Sequence, residues 1–283
     1  MEYSIIALVL GLLIGSFLNV VVYRLPIMLF ASWRRECLDF IEVKYRQEKA
    51  DSESGTFNLA FPSSHCPSCK IPVKVWQNIP ILSYILLSGK CSNCKAKISI
   101  RYPIVELGTG LVSTFVVYNF GLTAESGLLL LFTWCLLVLT LIDIDHQLLP
   151  DNITLPLLWL GLIANSFTLF TDLHSAVIGA VAGYLVLWSV YWLFKLATGK
   201  EGMGFGDFKL LAALGAWMGW QNLPLIIILS TFVGAVIGIA GILIYSKDKN
   251  KPIPFGPYLA VAGWIAFFWG EQLTSSYLQL FRI

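Results

Sequence analysis

Long apolar runs separated by short polar connections organise this chain. A bilayer crossing needs about 20 mostly apolar residues in helical conformation. Eight stretches approach that length, near 4–23, 104–120, 126–142, 153–170, 175–194, 207–219, 224–245 and 257–279, the sixth being the shortest. The pattern predicts an all-α polytopic membrane protein with about eight transmembrane helices. The first run begins almost at Met1, with Glu2 in place of a basic leader and no small-residue cleavage site, so it is expected to be retained as a span. Gly11 and Gly15 stand in it at GxxxG spacing, which permits close approach of another helix.

One polar connection is long. Residues 24–103 form an insert between the first and second spans, which divides the chain into a first transmembrane helix (1–23), the insert (24–103) and a seven-helix membrane domain (104–283). Within the insert, Trp33, Cys37, Ile41 and Tyr45 recur on one helical face, predicting a surface helix over 29–50. DSESG at 51–55 reads as a flexible break. VWQNIPILSYILL at 75–87 is too short to span and reads as a hairpin or interfacial segment.

Composition agrees with the pattern. The chain is 57% hydrophobic and 13% charged with mean hydropathy +0.75, against about 25% charged for a soluble domain. Its net charge of +2 makes no case for a nucleic-acid partner; what matters is where the bases sit. If the eight runs alternate and the N-terminus faces outward, all of the 19 Lys and Arg residues except Arg282 fall on one side, in or beside 24–103, 143–152, 195–206 and 246–256. The positive-inside rule makes that side cytoplasmic.

The same sorting places the acids. In LIDIDHQLLPD (141–151), Asp143 and Asp145 end the third run, and GMGFGDFKLLAALG puts Asp207 at the start of the sixth. Carboxylates from different helices are thus expected at similar depth, where an ionisable group is costly unless paired, solvated or used. One reading makes them solvated helix ends and caps. The other is chemical: two acids a few ångströms apart do not both ionise easily, so one keeps a proton while the other acts as base. Such a pair activates water against a peptide carbonyl. Gly202, Gly204 and Gly206 are expected to favour this by close approach and by backbone conformations closed to other residues. His146, between Asp145 and Asp151, reads as an ordinary interfacial histidine or as a tuner of the acids. His174 has no assigned role.

Cys66, Cys69, Cys91 and Cys94 form C-x2-C-x21-C-x2-C, slightly longer than the usual zinc-ribbon spacing. Four thiolates on two knuckles suit a closed, structural zinc site; two disulfides are the alternative, disfavoured in a reducing cytoplasm. His65 precedes the first knuckle. Cys135 lies in a span and reads as a small core residue; Cys37 remains in the insert.

GFGD at 204–207, the upstream DIDHQLLPD, GSFLNVVVYRLP (15–26), NIPILSYILLSGKC (78–91), ISIRYPIVE (98–106) and PFGPYLA (254–260) together resemble the type IV prepilin peptidase and N-methyltransferase family of intramembrane aspartic proteases. That resemblance implies a catalytic pair of Asp143 and Asp207, with Asp145 as the alternative partner and Gly204 and Gly206 supporting. It implies prepilin or pseudopilin substrates, cut after a glycine that ends a basic leader, at the cytoplasmic edge of the bacterial inner membrane. It also implies methylation of the new N-terminus from S-adenosylmethionine. No strand-plus-GxGxxG fingerprint marks a nucleoside site; Arg101 and Glu106, at the entry to the second span, are candidates for holding cofactor or insert, with an ion pair between them as the simpler role. Asp143, Asp145, Asp151 and Glu201 are expected to attract a basic leader. A proton- or cation-coupled transporter and a non-enzymatic assembly factor are the rival classes.

Overall fold

A computed structural model describes residues 2–40, 57–245 and 254–281. The described residues are helical, with no strands beyond two isolated bridges. The helices are α1 (Glu2–Phe40), α2 (Leu82–Leu86), α3 (Arg101–Phe120), α4 (Ala124–His146), α5 (Asp151–Ser166), α6 (Leu173–Thr198), α7 (Phe205–Met218), α8 (Leu223–Tyr245) and α9 (Gly256–Phe281). Among the described residues, five segments are long and apolar enough to cross a membrane: Tyr3–Leu38, Arg101–Phe120, Ala124–His146, Leu173–Thr198 and Trp220–Ala240. α5 and α7, at 16 and 14 residues, are about 24 and 21 Å long at 1.5 Å per residue, short of the roughly 30 Å hydrocarbon layer.

The chain divides into two compact units, Met1–Trp134 and Cys135–Ile283. In the first, α1 lies along α3, and the GxxxG pair is what lets it. A Cβ on Gly11 would come within 2.8 Å of Gly110 Cα, and one on Gly15 within 2.8 Å of Glu106 Cα. The apolar run ends near residue 23, but the helix does not: α1 continues through Pro26 to Phe40. Helical backbone satisfies its own hydrogen bonds on either side of a solvent boundary, so the hydropathy edge and the helix end separate. The surface helix expected at 29–50 is therefore, over 29–40, the continuation of α1, and the rest of it lies outside the described residues, as does DSESG. Arg24, 5% exposed, donates to the carbonyls of Asn58 (2.8 Å) and Pro62 (2.6 Å) and stands over the Phe57 ring at 5.7 Å. A residue counted for topology thus also fastens the start of the following segment to α1.

In the second unit α7 is central. Every residue from Leu210 to Met218 is buried, and α5, α6 and α9 pack around it. Gly179 of α6 and Gly215 of α7 meet backbone to backbone, leaving no room for a Cβ on either. The far end of α7 is held by Asn165, wholly buried, whose amide donates to the carbonyls of Ala216 (2.8 Å) and Trp217 (3.1 Å) while its oxygen accepts from the N–H groups of Phe170 and Thr171 (3.1 Å each). That side chain is also why α5 stops at Ser166 and not near 170. Both faces of the amide are needed to satisfy a turn that no helix could satisfy at that depth.

Candidate functional site

Asp143 and Asp207 are brought together. Asp143 sits in the last turn of α4 and Asp207 in the first turn of α7; they are 6% and 7% exposed, and the charge of Asp143 acts directly on Asp207. Asp145 and His146, the next polar residues along α4, are exposed; at Asp145 the helix has turned about 200° from Asp143. Burial thus distinguishes Asp143 from Asp145.

The groups that place these acids come from four segments. Gly256, first residue of α9, donates its N–H to Asp143 Oδ2 at 2.9 Å. A Cβ on Gly256 would lie 2.7 Å from that same oxygen and 3.1 Å from Leu149 Cδ2. A Cβ on Gly206 would lie 2.7 Å from Leu149 Cβ. Leu149, buried between α4 and α5, is therefore flanked by two glycines, one next to each acid. Asp207 N–H turns back to the Gly204 carbonyl at 3.3 Å to begin α7.

The expectation that Gly202, Gly204 and Gly206 adopt conformations closed to other residues does not hold: none of the three has positive φ. Space is what they supply. Gly206 faces Leu149, a Cβ on Gly202 would lie 2.9 Å from the Phe194 ring, and one on Gly204 would meet, among the described residues, only Gly206 N at 4.0 Å. Phe205 between them leans on Tyr191 and Phe208, ring centroids 5.2 and 5.3 Å away. The expected acidic attraction narrows as well: Asp151 is paired with Lys209 at 2.7 Å and Glu201 with Lys195 at 2.9 Å. Gly256 and Leu149 were missed as contributors to the site; PFGPYLA marked the right segment, but a backbone N–H leaves no trace in side-chain chemistry.

The four cysteines also converge. Their sulfurs all lie within 4.8 Å of one another, with Cys66 to Cys94 at 3.7 Å and Cys69 to Cys91 at 4.0 Å. Tetrahedral zinc with bonds of about 2.3 Å places its sulfurs roughly 3.8 Å apart, so the set fits that ion. The two knuckles repeat one another: Lys70 N–H returns to Cys66 O (2.9 Å) and Lys95 N–H to Cys91 O (3.1 Å), each lysine with φ near 60°. The N–H groups of Cys69 and Ser68 hold the Cys66 thiol down to about 6 and those of Cys94 and Asn93 lower Cys91, while burial and the neighbouring sulfurs push Cys94 up to about 11. Thiolates are the metal-binding form. His65 stays outside the cluster, its Nδ1 3.3 Å from Ser63 O.

Glu106 takes one of the roles expected of it, though not through an ion pair. Its Oε2 accepts the Ile81 N–H at 2.9 Å, and Ser16 of α1 hydrogen-bonds the same carboxyl group. It holds the insert, and its partner is a backbone amide and a hydroxyl where Arg101 was expected.

Two family models match, "Bacterial Peptidase A24 N-terminal domain" over residues 9–120 and "Type IV leader peptidase family" over 130–239. The chain is 56% identical over 283 residues to the prepilin leader peptidase/N-methyltransferase of Stutzerimonas stutzeri, covering 100% of this chain and 96% of the relative. This chain belongs to the type IV leader peptidase family. The protein of the same name from Pseudomonas aeruginosa is 56% identical over 279 residues (99% of this chain, 94% of the relative), and that from Legionella pneumophila 46% over 268 (95% and 92%). No solved structure matches. The leader-peptidase match contains Asp143, Leu149 and Asp207 but ends before Gly256, so the N–H that orients Asp143 comes from beyond it.

Proposed function

We propose that this chain is a bifunctional prepilin leader peptidase and N-methyltransferase, and that Asp143 and Asp207 are the two carboxyl groups of its aspartic peptidase site. The observation that carries the peptidase reading is the meeting of two buried acids from helices 64 positions apart in the chain, inside a family of leader peptidases. The substrates are prepilins or pseudopilins, with the cut after a glycine that ends a basic leader.

In the reaction the acids share one proton. The deprotonated carboxylate takes a proton from a water lying between them as its oxygen attacks the scissile carbonyl carbon. The protonated partner hydrogen-bonds to the carbonyl oxygen and stabilises the developing oxyanion. Collapse of the tetrahedral intermediate breaks the C–N bond, with a proton passing to the leaving amine. Gly256 N–H keeps Asp143 turned toward its partner, and Gly206 and Leu149 fix the gap. The open space at Gly204 is where an extended substrate backbone passes.

Cys66, Cys69, Cys91 and Cys94 are the residues that would hold zinc; four thiolates leave no open position, so the ion would supply folding energy to the insert and no chemistry. S-adenosylmethionine is the methyl donor implied by the second half of the relatives' name. The proposed placement is a bacterial inner membrane with the N-terminus outside and the cysteine insert cytoplasmic, supported by the one-sided distribution of lysine and arginine. The domain division follows: a first span, an insert at 24–103 and a membrane peptidase domain at 104–283.

The test is mass spectrometry of a client's mature N-terminus in cells carrying wild-type protein or Asp143→Asn. Wild type gives a cut after glycine with one added methyl group, and the variant leaves the precursor intact. A precursor still cut by the variant returns the field to a transporter or an assembly factor.

A further inference from the structure

The segment between the two cysteine knuckles is built unlike a soluble loop. From Val75 to Gly89 it contains no charged residue, and Lys74 and Lys90 stand at its two ends. It folds as a single 3-10 turn, Val75–Asn78, followed by α2. Val75 is 91% exposed and Leu86 75%, and Trp76, Ile79, Leu82 and Ile85 are exposed as well. On α2 the exposed apolar residues are Leu82, Ile85 and Leu86, the i, i+3, i+4 spacing of one helix face. Gln77 ties the segment to the second knuckle, its Nε2 donating to Ser92 Oγ at 2.8 Å.

Its depth follows from its anchor. Ile81 has φ 60° and ψ −50°, a conformation that a β-branched residue rarely adopts, and Leu82 N–H closes the turn on Pro80 O at 2.5 Å. What holds the turn is the hydrogen bond from Ile81 N–H to Glu106 on α3. α3 has 20 residues, about 30 Å, which matches the hydrocarbon thickness. Glu106 is five residues past the helix start at Arg101, so Ile81 lies about 7–8 Å along α3 from that end. Gly15 and Ser16, within the crossing part of α1, pack at the same level. An amphipathic segment in a membrane interface sits about 5–10 Å into the headgroup and acyl boundary.

We propose that residues 75–87 form an interfacial wedge whose exposed apolar side chains lie in the lipid beside α1 and α3, with Lys74 and Lys90 at the level of anionic headgroups. No described residue covers this face. The depth set by Glu106 and the tryptophan at its rim both suit the interface, where indole side chains collect. A basic residue near an anionic surface is drawn to it. Both knuckles would then be held against the membrane surface by the loop that joins them.

Site-specific photo-crosslinking tests this in the full-length protein. A benzophenone amino acid is placed singly at Leu82, Ile85 or Leu86, and at Asn93 in the second knuckle as the reference, in vesicles of phosphatidylcholine with a minority of phosphatidylglycerol. Phospholipid adducts at the three apolar positions and their loss at Asn93 are the expected result. Adducts that map instead to residues 41–56 or to a second protein copy would overturn the proposal, as would equal lipid labelling at Asn93. Repeating the Leu86 measurement with Lys74→Glu and Lys90→Glu reads the headgroup contribution: a reduced lipid yield supports it, and an unchanged yield removes that part of the claim.

Discussion

Gly256→Ala should disable cleavage while leaving the fold in place. Its new Cβ would stand 2.7 Å from Asp143 Oδ2 and 3.1 Å from Leu149 Cδ2. Ordinary contact begins near 3.4 Å, so the carboxylate retreats by about 0.7 Å, and the 2.9 Å bond from Gly256 N–H lengthens or breaks. A hydrogen bond to a charged group contributes about 1.5–3 kcal/mol, and a misplacement of about 1 Å at a reacting group costs on the order of a hundredfold in rate. The expected loss in kcat is therefore about ten- to a hundredfold, with KM nearly unchanged because Gly256 holds an acid and not the substrate. The assay is single-turnover cleavage of a purified precursor in lipid nanodiscs, read on gels and paired with a thermal melt. Gly108→Ala, where an added Cβ meets nothing within 4 Å, is the control. Wild-type cleavage by Gly256→Ala would refute the claim that Asp143 is placed by α9.

Two further outcomes follow from the first unit. Arg24→Met removes the donors to Asn58 and Pro62 and leaves their carbonyls without that partner; it should lower stability by about 2–4 kcal/mol and speed limited proteolysis near residues 57–62. Cys66→Ser should reduce bound zinc from about one ion per chain to a small fraction, since three thiolates remain of a four-ligand site; unchanged zinc by elemental analysis would contradict the cluster's role.

Much of this architecture can be read from the chain because a bilayer imposes a coarse rule. Each apolar run has a helix at its place, GxxxG at Gly11 and Gly15 marks the α1–α3 contact, and paired C-x-x-C spacing brings four sulfurs together. The boundaries are less legible for stated reasons. α1 outruns its apolar stretch by following backbone hydrogen bonding, and α5 stops early because Asn165 caps a turn from a distance no periodicity encodes. At the site, acids and glycines are visible as letters. The role of each glycine is not: Gly206 and Gly256 provide room against Leu149 and Asp143, which depends on tertiary neighbours and not on torsional freedom. That Glu106 holds the insert was legible, but the group it holds was not. A charged residue near Arg101 suggests an ion pair, whereas its partner is a backbone N–H 25 residues away.

The most direct measurement of the central claim is the precursor-cleavage rate of Asp143→Asn, Asp207→Asn and the double variant, each shown to be folded. If the two acids act as one pair, each single substitution removes nearly as much rate as both together, since residues that work as a unit are strongly non-additive. Substantial cleavage by either single variant, or abolition by Asp145→Asn where Asp143→Asn is tolerated, would contradict it.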